Sequence, residues 1–250
     1  MKIFIINLES SIQRRAKIQK NINSISTPLD IEFFNAVNGN DMKDNEISSN
    51  TRELCEATTK GEIGCALSHI NVYRKIVTDN IPVALILEDD VIIPDDIGLI
   101  VEDIEKTISD NEVILLNKPK QYLNKEIRPL NKYKVFPIAE ADLTCSYVIT
   151  NKAARRMIAF LYPVWLVADR WPLIREYKIT SVNCLIPAVI QLNEESSITT
   201  ITERKASSLM EETSNDIWRK IRKNRPLRVK INIFFWRLFI RKFYNTTKNQ

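Results

Sequence analysis

Short, unbroken apolar runs constrain this chain more than any other feature of its sequence. "KIFIIN" (Lys2–Asn7), "IEFFNAV" (Ile31–Val37), "VALIL" (Val83–Leu87), "EVILLN" (Glu112–Asn117) and "CSYVIT" (Cys145–Thr150) are each too short for a core helix. They also lack the polar alternation of a strand that faces water on one side, so they read as strands buried on both faces. Stretches of helical character fall between them. One runs to about Asn23 after a Ser10/Gln13 capping box; another lies in Gly61–Val77, starting after its glycines, and others cover Asp96–Ser109 and Asn151–Tyr162, the last with Asn151 as N-cap. In Gly61–Val77 the apolar Ile63, Leu67 and Ile70 share one side. The alternation predicts an α/β fold with a mainly parallel sheet flanked by helices. Residues 38–50 read as a loop, and residues 117–134, polar with two prolines, as a hairpin or flap.

One large domain suits 250 residues of ordinary globular composition, 44% apolar and 27% charged. Cys55, Cys65, Cys145 and Cys184 form no C-x-x-C pair, and one histidine, His69, is present. That argues against a zinc site or a disulfide framework and for free thiols in a reducing compartment. A single histidine also argues against a Ser-His-Asp triad. The first apolar run is too short for a signal peptide, and no run approaches the ~20 apolar residues of a bilayer span. The expected location is cytoplasmic. Charge is unevenly placed: residues 217–250 hold 11 Lys and Arg and no acid, which leaves 25 basic and 31 acidic residues elsewhere, a net of −6. A basic tail on an acidic body points to an anionic surface as partner.

The run at Val83–Leu87 ends in three consecutive acids, Glu88, Asp89 and Asp90. In open α/β sheets, ligands bind beyond the carboxyl ends of strands. On extended backbone, residues two apart share a side, so Glu88 and Asp90 would face one cation while Asp89 faces away. Oxygen-only ligation suits Mn²⁺ or Mg²⁺, which would relieve the repulsion and bind a diphosphate. Solvated residues ending a strand are the plainer alternative.

Several segments together resemble glycosyltransferase family 25, the bacterial lipooligosaccharide and lipopolysaccharide biosynthesis enzymes. They are "IINLESSIQRR", "FFNAVNG", "GEIGCALSHINVYRKIV", "ALILEDDV" and "CSYVITNKAARRM", and the likeness covers about residues 1–192. The Gly-x-x-Gly-Cys-x-x-Ser-His segment followed by the acids is more specific than either motif alone. The resemblance implies a GT-A-like fold and an inverting transfer of a hexose from UDP-galactose or UDP-glucose. The implied acceptor is a core sugar of a lipid-linked oligosaccharide.

In such a site Asp90 is the expected metal ligand, with Glu88 beside it or turned toward the ribose. Asp169, in "WLVADRWP", is the expected general base or a further acid of the metal site; its alternative is an ion pair with Arg170 or Arg175. Glu140 and Asp142 rank below it. Donor contacts are expected from Asn7, Leu8, Arg14, Gly64, Ser68, His69, Glu88 and Asp89. For Arg14 and Arg15 a solvated helix face is an equal reading. Ser68 has the alternative of bonding its own helix. Gly61 and Gly64 lack the preceding strand of a dinucleotide fingerprint, which excludes NAD.

Three parts are expected: a catalytic domain over 1–192, a mobile linker over 193–215, and a basic tail over 216–250. Written as a helix, Arg225–Tyr244 places Lys230, Arg237 and Arg241 near one stripe and Ile231, Phe234, Phe235, Leu238 and Phe239 opposite. Trp236, Phe243 and Tyr244 add interfacial aromatics. The segment Ile217–Tyr244 is therefore expected to bind an anionic inner-membrane surface from the cytoplasmic side, rather than nucleic acid. Packing of this helix on the body is the alternative. Two rival functions share these features: a metal-dependent nucleotidyltransferase and a non-catalytic membrane-associated scaffold with a transferase-like fold.

Overall fold

A computed structural model of the chain describes residues 1–193 and 208–248. In chain order the elements are β1 (Lys2–Asn7), α1 (Ile12–Ser24), β2 (Asp30–Asn35), α2 (Asp44–Asn50), α3 (Lys60–Thr78), β3 (Val83–Glu88), β4 (Val91–Ile92), α4 (Ile97–Thr107) and β5 (Glu112–Leu115). There follow β6 (Gln121–Leu123), β7 (Arg128–Leu130), β8 (Tyr133–Glu140), β9 (Ser146–Thr150), α5 (Asn151–Leu161), α6 (Trp171–Glu176), β10 (Ser181–Ile186) and β11 (Gln191–Leu192). Two helices, α7 (Ser208–Lys223) and α8 (Leu227–Phe235), and β12 (Thr246–Lys248) complete the described chain. A π-helical turn, Trp236–Arg241, extends α8.

The main sheet has the order β12-β6-β8-β10-β5-β9-β3-β1-β2, with β7 on β8. β1, β2, β3, β5 and β10 point one way; β9 runs against β3 and β5 in the middle, and β8 runs against β10. The predicted α/β architecture with most strands in one direction is what the chain forms. Continuous apolar runs arise because both sheet faces are covered. Along β1, Phe4 and Ile6 join the cluster under α3 and α5, while Ile3 and Ile5 join the cluster under α1 and α4. The two-residue period of a strand makes this division.

Local chemistry moved several boundaries. α1 begins at Ile12 without a side-chain cap, because Ser11 N–H donates to the Leu8 carbonyl (2.8 Å) and closes a turn; the Ser10/Gln13 capping box does not form. α3 takes in both glycines, since Thr59 and Glu62 form a capping box ahead of them: Glu62 N to Thr59 Oγ1 is 3.1 Å and Thr59 N to Glu62 Oε2 is 3.0 Å. Thr150, not Asn151, caps α5. Asn151 Nδ2 instead donates to the carbonyls of Ile76 (2.9 Å) and Ile81 (3.0 Å), tying α5 to the end of α3.

Part of the expected loop 38–50 is helix α2. Its Glu46 accepts from Lys43 N (2.7 Å), and one apolar side chain, Ile47, gives no period to read. Between residues 117 and 134 lie β6, β7 and the start of β8, a hairpin rather than a free flap.

The tail is seated on the body. β12 pairs with β6, buried Arg225 meets half-buried Glu176 at 2.6 Å, and Arg175 stacks over Trp236 at 3.7 Å. Pro226 separates α7 from α8, so the predicted single helix over 225–244 is broken at its start. Of the expected linker 193–215, residues 194–207 lie outside the described residues and 208–215 open α7. Among the described residues, no helix is long and apolar enough to cross a membrane.

Candidate active site

Parallel pairing in register brings the first parts together. Ile6 lies opposite Glu88, so Asn7 at the end of β1 is level with the acids that leave β3. Period-2 backbone stops at Glu88, where the chain turns before β4. The three acids therefore splay instead of alternating. Glu88 points toward α3, where His69 Nε2 lies 3.2 Å from its Oε1, and it accepts from Thr144 Oγ1 at 2.6 Å. Asp89 points toward α1: it accepts from Asn7 Nδ2 (2.6 Å) and Arg14 Nη1 (3.0 Å). Asp90 lies 4.0 Å from the same guanidinium. The expectation that Asp89 faces away from the others is corrected, since Asp89 and Asp90 share Arg14.

Charge in this corner is unevenly compensated. Burial pushes Glu88 upward, yet the His69 and Thr144 hydrogen bonds and the Arg14 charge hold it below its ordinary value. Burial, reinforced by the nearby Glu88, pushes Asp90 up to about 6 from 3.8. An ionised Glu88 beside an Asp90 whose charge is disfavoured by burial and by Glu88 offers oxygen ligands that fit a hard divalent cation. A second set, Sγ of Cys65, a ring nitrogen of His69 and an oxygen of Glu88, has its ligand atoms within 4.8 Å of one another. It fits such an ion less well. His69 already uses Nδ1 on Tyr147 Oη (2.7 Å) and Nε2 on Glu88. Cys65 is an exposed residue, yet desolvation of its sulfur and the charges of Glu88, Asp169 and Asp90 push the thiol up, which disfavours the thiolate a metal needs.

Asp169 belongs to the same corner. Its Oδ2 accepts from Leu143 N (3.4 Å), and the Leu143 carbonyl accepts from Trp171 Nε1 (2.8 Å). Leu143 holds a left-handed backbone, φ 70°, unfavourable for a side chain of its size. The following residue, Thr144, reaches Glu88. One short loop thus links Asp169 to the acids of β3. The alternative ion pair is absent in the expected form: Arg170 turns to buried Glu56 (Nε 2.8 and 2.9 Å), and Arg175 donates to the carbonyls of Ile138 and Ala139. Of the weaker candidates, Asp142 pairs with Lys120 (2.7 Å) and Glu140 with Arg241 (3.7 Å).

Other expected donor contacts fall in three groups. Asn7 is buried, and its Oδ1 has no hydrogen-bond partner among the described residues, an acceptor left for a ligand beside the acids. Leu8 lies in the turn that follows, and Arg14 reaches the acids. Arg15 stacks on Phe33 (4.3 Å) on the helix flank. Gly64 and Ser68 are both engaged in internal packing. A Cβ on Gly64 would lie 2.6 Å from Gly39 N and from the Val37 carbonyl oxygen. Ser68 Oγ accepts from Val37 N (2.8 Å) and donates to Gly64 O (2.7 Å). Both hold the end of β2 against α3. Gly61 has open space around it.

Sequence reading did not single out Thr144, Tyr147 or Tyr73. The tyrosines continue the chain Glu88–His69–Tyr147–Tyr73, with 2.8 Å between the two hydroxyls, in full burial. Their signal, a tyrosine within an otherwise apolar strand or helix face, is that of an ordinary core residue.

A sheet covered by helices on both faces, with an acidic corner beyond the carboxyl ends of its parallel strands, defines the general class, an α/β domain with a candidate ligand site at that edge. The model of glycosyltransferase family 25 (LPS biosynthesis protein) matches residues 1–171, and the chain belongs to that family. A glycosyltransferase 25 family member of Aedes aegypti is 36% identical over 98 residues, which are 36% of this chain and 16% of that protein. A lipooligosaccharide biosynthesis protein of Haemophilus influenzae is 27% identical over 168 residues, 63% of this chain and 62% of its own. The chain thus spans less than two thirds of the length of each. Among solved structures, one assigned as a glucose-1-phosphate thymidylyltransferase from Bacillus anthracis covers 92% of this chain and 99% of its own at 15% identity, with a TM-score of 0.38.

Proposed function

We propose that this chain is an inverting hexosyltransferase that moves galactose or glucose from a UDP-sugar to a core sugar of a lipid-linked lipooligosaccharide or lipopolysaccharide. The observation that carries the reading is the acidic corner: Glu88, Asp89 and Asp90 meeting Asn7, Arg14 and Asp169 at the strand ends of a family 25 chain. Asn7, with Oδ1 open, would hold the nucleoside, and Arg14 would balance Asp89 and Asp90. Glu88 and Asp90 would hold Mn²⁺ or Mg²⁺, which when bound would neutralise charge on the departing diphosphate. Asp169 would accept the proton of the acceptor hydroxyl as the new bond forms. The Leu143 N–H on Oδ2 would fix its orientation.

A panel of UDP-sugars with Mn²⁺, scored by UDP release with and without truncated core oligosaccharide, tests this. Release that rises with UDP-galactose or UDP-glucose only when acceptor is present is expected. Release indifferent to acceptor, or none with any UDP-hexose, would sink it.

The proposed location is the cytoplasmic face of the inner membrane. Support comes from the outer side of the tail, where Leu227, Phe234, Phe235, Phe239 and Phe243 are each more than half exposed. Monomeric chains seldom leave such a patch to water, and an amphipathic helix beside basic residues suits an anionic interface. Substituting Phe234, Phe235 and Phe239 together by Ser should abolish flotation with phosphatidylglycerol-containing liposomes while leaving thermal stability unchanged, because these side chains face outward. Equal flotation of variant and parent would remove the membrane reading.

A further inference from the structure

The seated tail encloses a cleft of about 150 Å³ between itself and the body, lined by none of Glu88, Asp89 and Asp90. Its floor is β8 and α6; its roof is α8 and the π-helical turn. Cations dominate it: Arg175, Lys178, Arg237 and Arg241 line it, with Trp236 as the aromatic wall. The two acids present are Glu140 and Glu176. Glu176 is neutralised by Arg225 at 2.6 Å, and Glu140 lies 3.7 Å from Arg241.

Arg175 is the informative residue. It stacks on Trp236 at 3.7 Å and donates to the carbonyls of Ile138 (3.3 Å) and Ala139 (3.2 Å). Among the described residues neither it nor Arg237 pairs with a carboxylate. A half-buried guanidinium that makes no ion pair of its own is costly, since burial disfavours the charge and neighbouring cations add to the cost. Burial brings Arg175 down to about 10; Glu176 and Glu140 oppose the shift, and Arg241 and Arg237 add to it. An anion in the cleft would remove that cost.

Size and position narrow the ligand. Sites for drug-sized ligands run to about 300–1,000 Å³, so this cleft takes one anionic group and not a nucleotide. Arginine forks match the oxygens of a phosphate better than a point charge does. Pro172, on the cleft wall, is three residues from Asp169, so at most about 11 Å of extended chain separates them.

We propose that this cleft binds a phosphate group carried by the acceptor, and so anchors the acceptor beside Asp169. The identity of the carrier rests on the transferase reading; the binding of phosphate does not.

The test uses the full chain in metal-free buffer and inorganic phosphate as probe, followed by calorimetry. Saturable binding is expected, weakened about tenfold by Arg237→Gln and by Arg241→Gln, and weakened by added chloride. Arg237 is exposed, so its variant is expected to keep the parent melting temperature. The same proteins are floated with phosphatidylcholine vesicles with and without phosphatidic acid. Loss of phosphate binding in Arg237→Gln with flotation equal to the parent supports an acceptor phosphate. Loss of both would overturn that assignment in favour of a lipid headgroup. No saturable binding by the parent, or equal binding by both variants, would overturn the site itself. None of these readings needs turnover, so failure here leaves the UDP-sugar panel standing, and the reverse.

Discussion

Asp90→Asn is expected to lower hexosyl transfer by about 10²–10³-fold, the usual cost of removing one preorganised charge from where a transition state is stabilised. The substitution keeps shape and removes one of two carboxylates offered to a divalent ion. Mn²⁺ affinity, measured separately by titration, should fall in parallel. Folding should not suffer. Asp90 rises from 3.8 to about 6 on folding, so the folded chain holds that proton more tightly than the unfolded chain. Stability is then highest when Asp90 is protonated and is lost as pH rises through about 6. At pH 7.5 without metal, the neutral Asn variant should melt at or above the parent temperature. Lost activity with a retained or raised melting temperature marks a charge placed for function. Turnover at the parental rate would show that Asp90 is not part of the site.

Much of this was open to reading in the sequence, for reasons that differ by element. β1 and β3 were legible because both faces are buried, which forces continuous apolar residues; β8 was not, because Lys134 and Pro137 break its run. α2 has one apolar residue and gave no period. At the site, the acids announced themselves by their position after a greasy run, but their directions did not follow. The two-residue rule holds on extended backbone, and the chain turns at Asp89. Gly64 and Ser68 sit inside a matched motif, yet the contact that fixes them is with Val37 and Gly39, distant in sequence. Long-range pairings of that kind, like Arg170 with Glu56, leave no local pattern. The tail took the alternative reading of packing on the body, and the membrane proposal rests on the side it leaves outward. Its inner side packs on the body through Trp236, Arg225 and β12, and its outer side keeps the exposed phenylalanines.

Arg170→Ala is expected to destabilise the fold by about 2–4 kcal/mol, less than for a fully buried pair because the Arg170 side chain is 38% exposed while Glu56 is buried. Glu56 is 1% exposed and receives the Arg170 guanidinium through Nε at 2.8 and 2.9 Å and through a further short contact from Nη2. Without that cation a buried carboxylate has to ionise alone or take up a proton. At roughly 2–4 °C per kcal/mol for a chain of this size, the melting temperature should drop by about 4–16 °C. The same guanidinium lies 4.9 Å over the Trp218 ring, so α7 should loosen with it. Asp169 is the adjacent residue, and its turn ends where Arg170 caps α6. Transfer activity should therefore fall at temperatures well below melting. Adding Glu56→Gln to Arg170→Ala removes the stranded charge and should recover part of the stability. Activity should recover less, because the turn stays unanchored. A melting temperature for Arg170→Ala within 2 °C of the parent would mean that water, and not the guanidinium, satisfies Glu56, and that the Asp169 turn is held by Leu143 and Trp171 alone.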